Sequence, residues 1–192
     1  YLLEAFVLLV IAKWAYTGLY RRAQLKEELF DKGNAALAVS TAGYLFGIVI
    51  ALGGVLVGPS AGWQADLTAI AVYGLMTIVM MLVASWLCEK VLLPRFDNTK
   101  EVVQDQNLGT AFVEAGVHIA NGLILLAIQQ GAGAWWVGVV FWALAQAVLL
   151  ILGRLYEMAT PHSIHDELER DNAAVGLALA GVLVGMGNII SL

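Results

Sequence analysis

Asn107, Glu114, His118 and Asn121 follow one another at spacings of seven, four and three. That rhythm places four polar side chains on one face of a helix, the last three of them inside an otherwise apolar stretch, residues 108–128. A carboxylate one turn from an imidazole can relay protons, because histidine titrates near neutrality and carboxylates shift readily on burial. At 1.5 Å per residue, Glu114 lies roughly 10 Å and His118 roughly 16 Å from the start of the stretch. Lys13 and Gln146 each stand eight residues from an arginine that closes their own apolar stretch, Arg21 and Arg154. Both then lie roughly 12 Å deep, so Lys13, Glu114 and Gln146 share one layer. Two readings of the layer stay open. One is a path for protons, ions or a small polar solute, lined by Glu114, His118, Asn121 and Gln146 with Lys13 as counter-ion. The other is a static Lys13–Glu114 pair capped by His118 or Gln146, which would lock the helices and transport nothing.

Other polar residues have plainer readings. Glu4 and Asn188 fit the outer interface, with an outer vestibule as the alternative. His162 and His165 with Asp166 and Glu169 have residue types that suit zinc, but they follow no fixed motif spacing and read as a solvated linker face. Cys88 reads as a packing residue. GxSxG, HExxH and GxxxxGK[ST] are all absent, so no enzyme, cofactor or metal is expected.

The elements that position these residues follow from composition. Sixty per cent of the 192 residues are apolar and 13% charged, with a mean hydropathy of +0.81. A soluble domain runs about 45–50% apolar and 25% charged. The chain is therefore expected to be an integral membrane protein, with the lipid bilayer as its first partner. A single cysteine excludes a disulfide framework, and a net charge of −5 argues against nucleic acid. Six stretches reach the roughly 20 residues that a spanning helix needs: about 1–20, 36–58, 67–89, 108–128, 134–156 and 173–192. The chain opens on Tyr1, not methionine, so residues are expected to precede it, and the first stretch lacks a signal peptide's features. All Lys and Arg except Lys13 lie in three long connections, Arg21–Gly33, Lys90–Gln106 and Arg154–Asp171. The excess of Lys and Arg marks the cytoplasmic side, which puts both termini on the outer side. Trp63, Trp135 and Trp136 then mark the outer boundary and Trp86 the inner one.

Three segments align without gaps on an asparagine: Glu28–Asn34–Gly43–Gly47, Glu101–Asn107–Gly116–Ala120 and Asp166–Asn172–Gly181–Gly185. The asparagine suits a helix N-cap, and the acid ahead of it suits the positive helix end. The small pair lets another helix approach closely in lipid, either within the chain or in a homo-oligomer. Glu114 and His118 break the pattern, since their counterparts are Thr41 and Leu45, and Leu179 and Leu183.

The third segment, TPHSIHDELERDNAAVGLALAGVLVGMGNII, resembles the bacterial YjfL-like inner-membrane family, a domain of unknown function (DUF350) built on a two-span unit. QLKEELFDKGNAALAVSTAG in the first unit is similar. The middle unit keeps the Glu–Asn–Gly frame without the Thr-Pro opening or the Ala-Ala. The resemblance implies a multi-pass protein of the bacterial inner membrane and supplies no activity. Similar proteins occur beside envelope-stress and membrane-remodelling genes.

The expected fold is one all-α transmembrane domain, residues 1–192, of six helices in three parallel two-helix repeats, about 1–58, 67–128 and 134–192. A pseudo-threefold bundle is the simplest packing, with an open arrangement as the alternative. The expected function is transport-type, a channel or transporter component. The alternative is a structural or adaptor protein that docks a cytoplasmic protein through its acidic linkers.

Overall fold

The computed structural model describes residues 1–19, 25–58, 60–94, 97–131 and 134–192. Tyr20, Arg21 and Pro59, expected to bound the first span and the first outer connection, lie outside them. Among the described residues every regular element is helical: α1 (Leu2–Leu19), α2 (Ala35–Leu56), α3 (Trp63–Leu87), α4 (Asn98–Val103), α5 (Leu108–Gln130), α6 (Trp135–Ala159), α7 (Ile164–Glu169) and α8 (Ala173–Ile190). A π-helical turn, Cys88–Leu92, prolongs α3, and another, Glu27–Asp31, precedes α2. Among the described residues five helices are long and apolar enough to cross a membrane: α2, α3 with its prolongation, α5, α6 and α8. The 18 residues of α1 bury Leu8, Ala12 and Tyr16, one stripe at four-residue spacing, and α1 packs on α2 and α3.

The same turn leads into α2, α5 and α8. The residue before each asparagine is left-handed, Gly33 at φ 64°, Gln106 at 53° and Asp171 at 54°, a conformation easy for glycine and uncommon for the other two. The asparagine then caps the helix. Asn34 Oδ1 accepts from Leu37 N at 2.9 Å, Asn107 Oδ1 from Thr110 N at 2.8 Å and Asn172 Oδ1 from Val175 N at 3.3 Å. Behind it the backbone closes on an acidic residue: Asn34 N–H donates to the Glu28 carbonyl, Asn107 N–H to Glu101 and Asn172 N–H to Glu167. The third closure is one residue shorter, a six-to-one Schellman ring. The acid that meets Asn172 is therefore Glu167, and not Asp166 as the ungapped alignment expects.

Two layers position the core. α2, α5 and α8 form a row with α5 in the middle, while α1, α3 and α6 lie across it, α3 against α2 and α5, and α6 against α5 and α8. Backbones touch along the row. A Cβ built on Gly43 would sit 2.4 Å from Ala115 Cα, and one on Gly116 would sit 2.7 Å from Ala180 Cα. Such contact needs residues without bulk on both helices. The α5 helix carries two small-residue faces, one toward each neighbour, and among the described residues the row is open, the alternative to the simpler pseudo-threefold bundle. At its far edge Gly181 and Gly185 have no other atom within 4 Å of a built Cβ. These two expected packing glycines pack against nothing within the described residues.

At the ends remote from the caps, Tyr1 Oη donates to Asp66 Oδ2 at 2.6 Å, which brings the starts of α1 and α3 side by side.

Candidate functional site

The polar face of α5 turns into the protein. Glu114, His118 and Asn121 are all buried, at 8%, 2% and 0% exposure. Ser40 of α2 donates to Glu114 Oε2, and Tyr16 of α1 meets Ser40 Oγ at 2.6 Å. With the Ser40 hydroxyl directed at the carboxylate, Tyr16 donates to Ser40, and a hydroxyl chain runs from α1 through α2 to α5.

One turn along α5, His118 packs edge-on to Tyr44 (ring centroids 5.3 Å, 84°) and to Tyr16 (5.9 Å, 82°), and the two tyrosines stack at 4.4 Å. His118 Nδ1 and Tyr44 Oη are buried with no hydrogen-bond partner among the described residues. Further along, Asn121 Oδ1 accepts from Gln146 Nε2 at 2.6 Å and from Trp142 Nε1 at 3.2 Å, and Asn121 Nδ2 donates to the Val117 carbonyl. Near the end of α5, Gln129 Nε2 donates to Thr77 Oγ1. Polar contacts thus recur along one helix from Glu114 to Gln129, roughly 22 Å.

Two expected members of the layer lie elsewhere. Lys13 is exposed, one residue around the helix from buried Ala12, and it is Tyr16 of α1 that connects to Glu114, through Ser40. Gln146 is buried, but its partner is Asn121, roughly 10 Å along α5 from Glu114. Arg154 does not end its helix: α6 continues to Ala159, so Gln146 stands farther from the end of α6 than its distance from Arg154 implies. Tyr16, Ser40 and Tyr44 are the site residues that sequence reasoning missed. Their signal was polarity within apolar stretches, at positions four apart for Ser40 and Tyr44.

The linker acids are tied to their asparagines. Asn34 Nδ2 lies 3.5 Å from Glu28 Oε2, Asn107 Nδ2 donates to Glu101 Oε2 at 3.1 Å, and Asn172 Nδ2 to Glu167 Oε2 at 2.8 Å. Two asparagines also reach the next linker, Asn34 to the Val102 and Val103 carbonyls (3.1 and 3.2 Å) and Asn107 to the Leu168 carbonyl (2.6 Å). A hydrogen bond from Lys32 holds the Glu28 carboxyl below its ordinary range, while burial pushes that of Glu101 up.

His165 Nδ1 pairs with Glu157, and no group of three metal-ligating side chains occurs among the described residues. Cys88 is buried. A cleft of about 510 Å³ between α3, α5 and α6 is lined by residues such as Tyr73, Ile124, Gln129, Trp135 and Phe141; neither Glu114 nor His118 lines it.

A family model described as Domain of Unknown Function (DUF350) matches residues 1–128 and 131–192. The break between the two matches falls at the end of α5. No curated protein and no solved structure matches the chain.

Proposed function

We propose that this chain, which belongs to the DUF350 family, is a transport-type membrane component whose cargo is the proton, carried along the buried polar face of α5. The observation that carries the reading is the Tyr16–Ser40–Glu114 chain with His118 one turn beyond it. Hydroxyl, carboxyl and imidazole groups pass protons without an open pore, whereas a solute needs a cavity, and the cleft between α3, α5 and α6 does not include Glu114. Ionisable groups inside a membrane protein favour such roles.

In this reading α1 is a sixth span, and the chain is three parallel two-helix units in the bacterial inner membrane. The linkers face the cytoplasm, as their Lys and Arg content argues, and both termini face outward. The adaptor alternative has less support, because Glu28, Glu101 and Glu167 are engaged by their own asparagines and so are less available to dock a partner.

Purified protein in vesicles with an imposed potential and an internal pH dye tests the reading. Wild type should acidify the vesicles, and Glu114→Gln should lower the rate at least tenfold. Equal leak in both, at the level of empty vesicles, would refute proton transport and leave Tyr16–Ser40–Glu114 as a structural lock.

A further inference from the structure

The row of α2, α5 and α8 uses one interface twice. Counted from the capping asparagine, positions nine and thirteen of one helix face positions eight and fifteen of the next. In the first instance Gly43 meets Ala115 and Gly47 meets Gly122; in the second Gly116 meets Ala180 and Ala120 meets Gly187. Near the caps, position two meets position four, as Gly109 meets Gly176. Each instance also carries a hydrogen bond from the capping Nδ2 to a carbonyl four or five residues before the next cap.

Each half of this interface is left open once. On α8 the first half is Ala174, Gly181 and Gly185, all exposed. On α2 the second half is Ala38, Ala42 and Val49, also exposed. Among the described residues Asn172 Nδ2 donates only to Glu167 of its own unit. Leu29 and Phe30 carry the carbonyls at the matching place before Asn34, and Phe30 is 80% exposed. Val49 is bulkier than Gly122 or Gly187, and the position that would face it is Gly185, which has no side chain. Lipid gives these glycines no reason to lack one, since acyl chains are as apolar as leucine.

We propose that a second copy of this chain occupies the open face of α8 with its own α2, so that the internal interface continues from molecule to molecule, with Asn172 reaching the linker of the second copy. The two surfaces differ, so the contact is heterologous, and repeated copies make a ring or a filament.

Thiol cross-linking of the full chain in membranes tests this. Ala38→Cys and Ala174→Cys stand at positions four and two, where the internal counterparts touch. With a short bis-maleimide, the double variant should give a ladder of covalent dimers and larger species. Either single variant alone should match wild type, and the two single variants co-expressed should give a dimer and nothing larger. Adding Gly181→Leu to the double variant should remove the ladder and leave thermal unfolding of the monomer in detergent unchanged, because no atom of the described residues lies within 4 Å of a Cβ built there. A double variant that stays monomeric would mean that lipid covers the face and would overturn the proposal. So would a single variant that cross-links to itself, which marks a symmetric contact, or a ladder that survives Gly181→Leu.

Discussion

Gly43, Gly116 and Gly181 each stand nine residues after a capping asparagine, so alanine at the three positions adds the same carbon to three surroundings. At Gly43 that carbon would lie 2.4 Å from Ala115 Cα, at Gly116 2.7 Å from Ala180 Cα, and at Gly181 it would meet nothing within 4 Å among the described residues. Ordinary contact begins at 3.4 Å, so the shortfall is 1.0 Å at Gly43 and 0.7 Å at Gly116. The atoms met include helix backbone, which yields only if the whole helix moves. A gap of about 0.5–1 Å forfeits a quarter to a half of each dispersion contact, and overpacking costs about 1–3 kcal/mol. Gly43→Ala should therefore lose about 2–3 kcal/mol and Gly116→Ala about 1–2 kcal/mol. Gly181→Ala should stay within about 0.5 kcal/mol of wild type or gain slightly, because alanine is the better helix former. Equilibrium unfolding of monodisperse protein in mixed detergent, followed by tryptophan fluorescence, measures all three. Equal losses at Gly116 and Gly181, or none at Gly43, would refute the packing argument.

Two further outcomes follow from the linkers. Asn107→Ala removes a cap and the bond to the Leu168 carbonyl, so it should cost about 2 kcal/mol, against about 1 kcal/mol for Asn172→Ala, which loses only bonds within its own unit; the same unfolding assay compares them. Glu101 and Glu28 should have opposite pH signatures. The raised carboxyl of Glu101 contributes stability below the ordinary carboxyl range that is lost as pH rises through its folded value, so Glu101→Gln should stabilise at neutral pH. The depressed carboxyl of Glu28 contributes stability above that range that is lost as pH falls, so Glu28→Gln should destabilise at neutral pH and converge with wild type in acid. Unfolding midpoints between about pH 4 and 7 check both signs.

Much of the site was legible one helix at a time. The spacing of Glu114, His118 and Asn121 puts them on one face whatever surrounds it, and all three are buried. The asparagines read as caps because an amide oxygen ahead of an apolar run has one obvious donor to meet, and all three meet it. The partners were not legible. Lys13 and Tyr16 differ by three residues, and only the azimuth of α1 decides that Tyr16 turns inward. Counting from Arg154 sets Gln146 beside Glu114, whereas α6 runs on to Ala159 and Gln146 meets Asn121.

Composition and local chemistry determine that the chain is a set of membrane helices, where they start, and which side chains share a face. Only the tertiary structure decides which face meets which neighbour, since lipid and protein interior are equally apolar and hydropathy cannot tell them apart. That is why Gly43 and Gly116 lie against backbone while Gly181, alike in sequence, meets no neighbour among the described residues. The difference comes from the place of each helix in the row: α2 and α5 have a further helix on that side, and α8 is the last.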